Sequence, residues 1–145
     1  MKTKLIGLLF VSALALLAAN DPFVGTWKLN VAKSKFQGGP PPQAETVMIA
    51  ADGKVSVSET DGKGQTSNWS YTAMTGAEAA ITGVPDSSVT EVRKENTVDH
   101  TWKFGKSTMK GHGVVSKSGK TMTYGIQGTD PEGKPFKNTE LFEKQ

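Results

Sequence analysis

The sequence contains no cysteine. For an exported chain this excludes a disulfide framework, a thiolate metal site and a lipid anchor on a mature N-terminal cysteine, so packing and hydrogen bonds must hold the fold. Arginine is nearly as scarce, with Arg93 alone, and histidine is confined to His100 and His112. Two histidines without cysteine make a poor metal set, and strand alternation puts His112 on the outward Lys110/Val114 face, away from His100. No Gly-x-Ser-x-Gly elbow is present, and Gly111-x-Gly113 lacks the third glycine and the helix that a phosphate-binding turn requires. After residue 43 no stretch carries a sustained 3.6-residue apolar period, which excludes a helical core.

Long apolar runs are also missing. The longest, from Leu5 to Ala18, falls short of the roughly 20 residues that span a bilayer as a helix. Lys2 and Lys4 precede it and Ala18-Ala19 follow it, which is the layout of a cleaved secretory leader. Residues 1–19 therefore read as a signal peptide cut after Ala19, residues 20–145 as one exported domain in the periplasm or the medium, with no membrane insertion once the leader is gone. The whole chain has 17 basic and 14 acidic side chains. Two of the lysines leave with the leader, so fifteen bases face fourteen acids and the net charge drops from +3 to +1. A nearly neutral domain offers no electrostatic footprint for nucleic acid.

What the chain does have is a rhythm of short β-prone runs separated by glycine-containing turns. Phe23 to Leu29 is the first run, and Val31 to Gln43 is a long connection broken by Pro40-Pro41-Pro42 that is expected to cross one end of the fold. From Glu45 onward the runs are split by Asp52-Gly53, Asp61-Gly62, Thr75-Gly76, Gly83-Val84-Pro85, Glu95-Asn96, Gly105-Lys106, Ser118-Gly119 and Asp130-Pro131-Glu132-Gly133. Asp-Gly between alternating runs is a hairpin signal, because the turn needs a positive φ that glycine adopts freely. The expected class is all-β: a single antiparallel up-and-down β-barrel of about 8–10 strands.

Period two then assigns faces. Trp69, Tyr71 and Ala73 share one, as do Val98, His100, Trp102 and Phe104; Met122, Tyr124 and Ile126; and Val47, Ile49 and Ala51. The strand with Met109, Gly111, Gly113 and Val115 places small residues inward, where a barrel bends or leaves room. In the last strand Asn138/Glu140/Phe142 and Thr139/Leu141/Glu143 have equal claims. Glu59, Glu91 and Glu140 are candidates for inward carboxylates. Aromatic residues on shared strand faces suit an apolar small molecule better than an extended polymer.

Gly25-Thr26-Trp27-Lys28-Leu29 followed by an antiparallel meander resembles the calycin group of lipocalins and fatty-acid-binding proteins. It is similar as well to small exported bacterial lipocalin-like proteins with a Gly-Thr-Trp-Lys-Leu opening. The resemblance implies that Gly25 and Trp27 close the bottom of the barrel. Lipocalins usually stack an arginine near the last strand on that tryptophan; here Lys144 is the C-terminal stand-in. The Arg-x-Tyr pair with which fatty-acid-binding proteins hold a carboxylate is missing, so the resemblance brings the fold and not a fatty-acid site.

These observations lead to an exported, non-catalytic protein that binds a small apolar or amphipathic ligand in the barrel lumen. The expected lining is Trp69, Tyr71, His100, Trp102, Phe104, Met122 and Tyr124, with no catalytic residue, no metal and no cofactor. His100 would meet a ligand's polar end or bond to a neighbouring strand. Two other readings stand beside this one. The barrel could be filled and act through its surface as an envelope interaction or inhibitor protein, or it could be an isomerase or cyclase using His100 with a lumen carboxylate.

Overall fold

Strand alternation and tight turns leave this chain one efficient way to bury its apolar faces, which is to wrap them around a common interior. The computed structural model describes residues 21–130 and 132–145; the leader expected over residues 1–19 lies outside them. Its ten strands are β1 (Gly25–Leu29), β2 (Ala44–Ile49), β3 (Lys54–Thr60), β4 (Thr66–Thr72), β5 (Glu78–Ala80), β6 (Ser87–Lys94), β7 (Thr97–Phe104), β8 (Ser107–Val115), β9 (Thr121–Thr129) and β10 (Pro135–Lys144). They form one antiparallel sheet in the order β4-β3-β2-β1-β10-β9-β8-β7-β6-β5. Every neighbour is consecutive in the chain except the β1/β10 pair, where Trp27 faces Lys144 and Leu29 faces Phe142.

That pair joins the two ends of the domain. The sheet edges meet on the other side through one bridge, with Ser70 and Thr82 exchanging backbone bonds of 2.9 and 2.8 Å. β4 is shorter than the sequence suggests, because Met74 and Ala77 close a turn that ends the strand at Thr72. Ala51 lies in the β2–β3 turn and is exposed, so the inward face of β2 stops at Ile49. Turn chemistry sets the hairpins: Asp61 Oδ1 accepts from the amides of Lys63 and Gln65, and Asp130 Oδ1 from those of Glu132 and Lys134.

One end of the barrel is plugged. Trp27, Phe23, Val89 and Val115 are its most deeply buried large side chains. The Trp27 indole donates to the Phe23 carbonyl at 2.7 Å, so its one polar atom is satisfied there. Lys144 Nζ lies 4.9 Å from the centre of the Trp27 ring and donates to the Pro22 carbonyl at 3.1 Å. Lys144 thus covers the tryptophan. Gly25 is required beside it: its φ is +137°, and a Cβ would come within 2.7 Å of Lys144 Cε.

The opposite end carries the proline loop. After β1, Asn30 Oδ1 accepts from Lys33 N at 3.0 Å and caps a short 3₁₀ turn over Val31–Lys33. Lys35 then pairs with Thr139, and the Gln37 amide donates to Asn138 Oδ1 at 3.1 Å. Pro40 packs against Gly62 in the β3–β4 turn. The loop therefore crosses the barrel mouth as expected, held to β10 on one side and to β3–β4 on the other.

Candidate functional site

Between plug and loop lies a cavity of about 440 Å³. All seven side chains expected to line the lumen do so: Trp69 and Tyr71 from β4, His100, Trp102 and Phe104 from β7, and Met122 and Tyr124 from β9. Period two is the reason, since alternate residues of half-buried strands must share a face. Trp102 is the hub of the aromatic wall. Its ring stacks on His100 at 4.8 Å and meets Trp69 and Tyr71 edge-on at 5.5 and 5.6 Å. Gly111 and Gly113 on β8 let the Tyr124 ring lie flat against the strand; a Cβ on Gly111 would overlap the Tyr124 hydroxyl.

The lower half of the lumen holds a closed polar network. Glu91 Oε2 accepts from the Tyr71 hydroxyl at 2.9 Å and from His100 Nε2 at 3.0 Å. Its other oxygen accepts from Arg93 Nε, and Arg93 Nη1 reaches Asp21 Oδ2 at 2.9 Å. The Arg93 guanidinium also sits 5.3 Å from the Phe23 ring centre. On the far side of the imidazole, the Tyr124 hydroxyl lies 3.1 Å from Nδ1 and accepts from the Trp102 indole at 3.0 Å. Both ring nitrogens of His100 are therefore engaged within the protein. The polar end of the imidazole is committed to the wall rather than held free towards the cavity.

Electrostatics divide the lumen in two. Burial pushes the Glu91 carboxyl up, but the hydrogen bond from His100, the charge of Arg93 and the hydrogen bond from Tyr71 outweigh it and hold the group down at about 2. Burial and the neighbouring Glu91 carboxylate push the Tyr71 phenol up, and burial chiefly raises Tyr124 as well. In the upper half the balance reverses. Burial, with repulsion from Glu59, raises Glu140 to about 7 despite a bond from Asn138. Burial raises Glu45 well above the usual carboxylate range, helped by Glu140 and then Glu59, and raises Glu59, helped by Asp61. The three side chains are only half-buried by surface, because they border the cavity, but so small a volume solvates a charge far less well than bulk water.

Glu59, Glu91 and Glu140 all turn inward, which settles the last strand in favour of Asn138, Glu140 and Phe142. Two charged lumen residues escaped the sequence reading. Glu45 continues the Val47/Ile49 face by one step of two, and Arg93 shares its face with Val89 and Glu91; extending the alternation to charged residues would have found both. His112 points outward as expected and pairs with Asp99 at 2.7 Å. Among the described residues no group of three or more His, Asp or Glu is placed to hold a metal ion.

No protein-family model and no curated protein matches the sequence. Solved structures do match in fold. The fluorescent protein UnaG superposes with a TM-score of 0.52 at 12% identity, covering 85% of this chain and 97% of that one. Fatty-acid-binding protein 1 of Echinococcus granulosus superposes with a TM-score of 0.53 at 11% identity, over 85% and 97% of the two chains. Likeness at this identity is likeness of fold: the described residues form an all-β, ten-stranded antiparallel up-and-down barrel, the fold of these two proteins.

Proposed function

We propose that this protein is an exported carrier or buffer that holds one small amphipathic molecule in its lumen, without chemistry. The observation that carries the reading is the cavity of about 440 Å³, walled by Trp69, Trp102, Phe104 and Met122 and plugged at one end by Trp27. A space of this size with apolar walls and a few placed polar groups is what a ligand site requires, and an interior filled with side chains would not leave it. The fatty-acid-binding neighbour supports the same reading by shape alone. The commitment of both His100 nitrogens to Glu91 and Tyr124 favours holding over proton transfer. The short leader-like segment before Asn20 supports export.

Titration with hexanol, octanol and decanol, followed through tryptophan emission, tests the reading, since Trp69 and Trp102 border the lumen. Each buried methylene contributes about 0.8 kcal/mol, so each should tighten the complex roughly fourfold. Saturable binding with that chain-length dependence is expected. No saturable change with any of the three, together with no co-purifying molecule in the native mass spectrum, would overturn it.

A further inference from the structure

Among the described residues the lumen is lined by four glutamates and by no lysine. The one arginine in its described lining is Arg93, and that guanidinium is already divided between Glu91 and Asp21. Glu91 in turn is fully committed to Arg93, His100 and Tyr71. The groups left to meet a ligand are the upper three. Glu45 on β2 and Glu59 on β3 stand directly opposite each other in the ladder. Side chains so paired lie about 5 Å apart at Cβ, a placement that is destabilising for like charges. Glu140 on β10 faces the same space, beside Tyr124 of β9. Among the described residues neither Glu45 nor Glu59 has a salt-bridge partner, and Glu140 has only the Asn138 amide, at 3.4 Å.

The space next to the upper acids has the same sign. A second cavity of about 230 Å³ beneath the proline loop shares Glu59, Phe136 and Asn138 with the lumen, and its other charged lining residues are Asp61 and Asp130. No cationic side chain borders it among the described residues.

Building on the proposed carrier role, we propose that the ligand is a cationic amphiphile: a primary amine or ammonium head held by Glu45, Glu59 and Glu140 at the mouth, with its apolar tail laid along Trp69, Trp102 and Met122. A carboxylate head would settle among three acids, next to Asp61 and Asp130, with no free cation among the described residues to receive it. A metal ion is the other cation that acids attract, but the three carboxylates are not grouped closely enough to hold one. An organic ammonium differs in that it needs no fixed coordination shell and brings its own donors. Where Glu45 and Glu59 are both ionised, it would also offset their repulsion across the ladder.

Protonation gives the proposal a signature. The charged and titratable groups around the acids are Asp61 at the β3–β4 turn, Tyr124 on β9, and the Glu91, His100 and Arg93 group on β6 and β7. Burial and mutual repulsion let Glu140 and Glu45 keep protons well above the usual carboxylate range. An ammonium head must displace those protons, so its affinity should rise with pH while that of a neutral head should not.

Decylamine, decanol and decanoate share one tail and differ in the head. Calorimetric titration of the full mature chain should give decylamine at least about tenfold tighter than decanoate at about pH 8, and its advantage over decanol should shrink at about pH 5.5. Glu45→Gln and Glu140→Gln should each remove most of the preference for decylamine over decanoate at about pH 8. If decanol binds but decanoate equals or beats decylamine at about pH 8, the cation proposal is wrong and the carrier reading stands. If no probe binds, the carrier reading itself has failed. The comparison of heads needs only the native chain, so it stands even if a variant does not fold.

Discussion

Replacing Glu140 with Gln should make the protein more stable at neutral and alkaline pH and change little in mild acid. The carboxyl is raised from its ordinary 4.5 to about 7 in the fold. Between those two values the unfolded chain has released its proton while the folded chain keeps it, so stability falls as pH rises and levels off above about 7. At about 1.36 kcal/mol per pH unit the full shift corresponds to roughly 3 kcal/mol. Glu140 borders an open cavity, and solvent screening there brings the expected figure down to about 1.5–3 kcal/mol. For a domain of this size that is roughly 5–10 °C in melting temperature. A protonated carboxyl and an amide are nearly isosteric, so the variant and the parent should melt together at about pH 4.5.

Glu91 has the opposite sign. Its carboxyl is held at about 2, so its contribution is in place above about 4.5 and disappears as pH falls towards 2. Glu45 and Glu59, both raised, add to the decline on the alkaline side. The parent protein should therefore be most stable at about pH 4.5–5, more acidic than most domains. Differential scanning calorimetry across buffers from about pH 3 to 9, on parent and variant, measures both effects. Equal melting temperatures for the two at about pH 8, or parent stability that rises between about pH 5 and 8, would refute the placement of Glu140 in a poorly solvated, like-charged site.

Two further substitutions probe the plug and the polar network. Gly111→Ala sets a methyl group against the Tyr124 hydroxyl and should break its bonds to Trp102 and His100, at about 1–3 kcal/mol in urea unfolding; an unchanged midpoint would mean that Tyr124 lies elsewhere. Lys144→Met keeps most of the aliphatic cover of Trp27 but removes the ammonium over its ring and the bond to Pro22. It should cost about 1–2 kcal/mol and alter the emission of Trp27, and no change in either would deny Lys144 its covering role.

The architecture was legible because two local rules agree with the global fold. Alternation places Trp69 with Tyr71, and His100 with Trp102, on one face whatever the partners are, and Asp-Gly turns leave a strand little choice but to return beside its neighbour. Consecutive hairpins then determine the order, and the β1/β10 pair follows once the meander curls. Length was less legible: β4 yields its end to the Met74–Ala77 turn because a backbone bond there replaces one in the ladder. The cover of Trp27 by Lys144 was expected from the resemblance, and the structure adds that Gly25 must be glycine for the lysine to pass.

The charged lining was hard to read for a physical reason. Alternation is scored by putting polar residues outward, so a lumen that contains acids erases the signal that would reveal it. Asn138/Glu140/Phe142 could not be separated from Thr139/Leu141/Glu143, and Glu45 was noted only as the start of a run. Arg93 was noted only as the single arginine of the sequence, while in the fold it binds Glu91 and Asp21. Conflict between pattern and place is itself informative, since natural sequences break local rules mainly where function requires it. Glu91 breaks the rule and is fully compensated by its partners. Glu45 and Glu59 break it facing each other, with no partner among the described residues. Charge compensated by its neighbours is structure; the Glu45/Glu59 pair beside the apolar lumen is where the proposed ammonium head would sit.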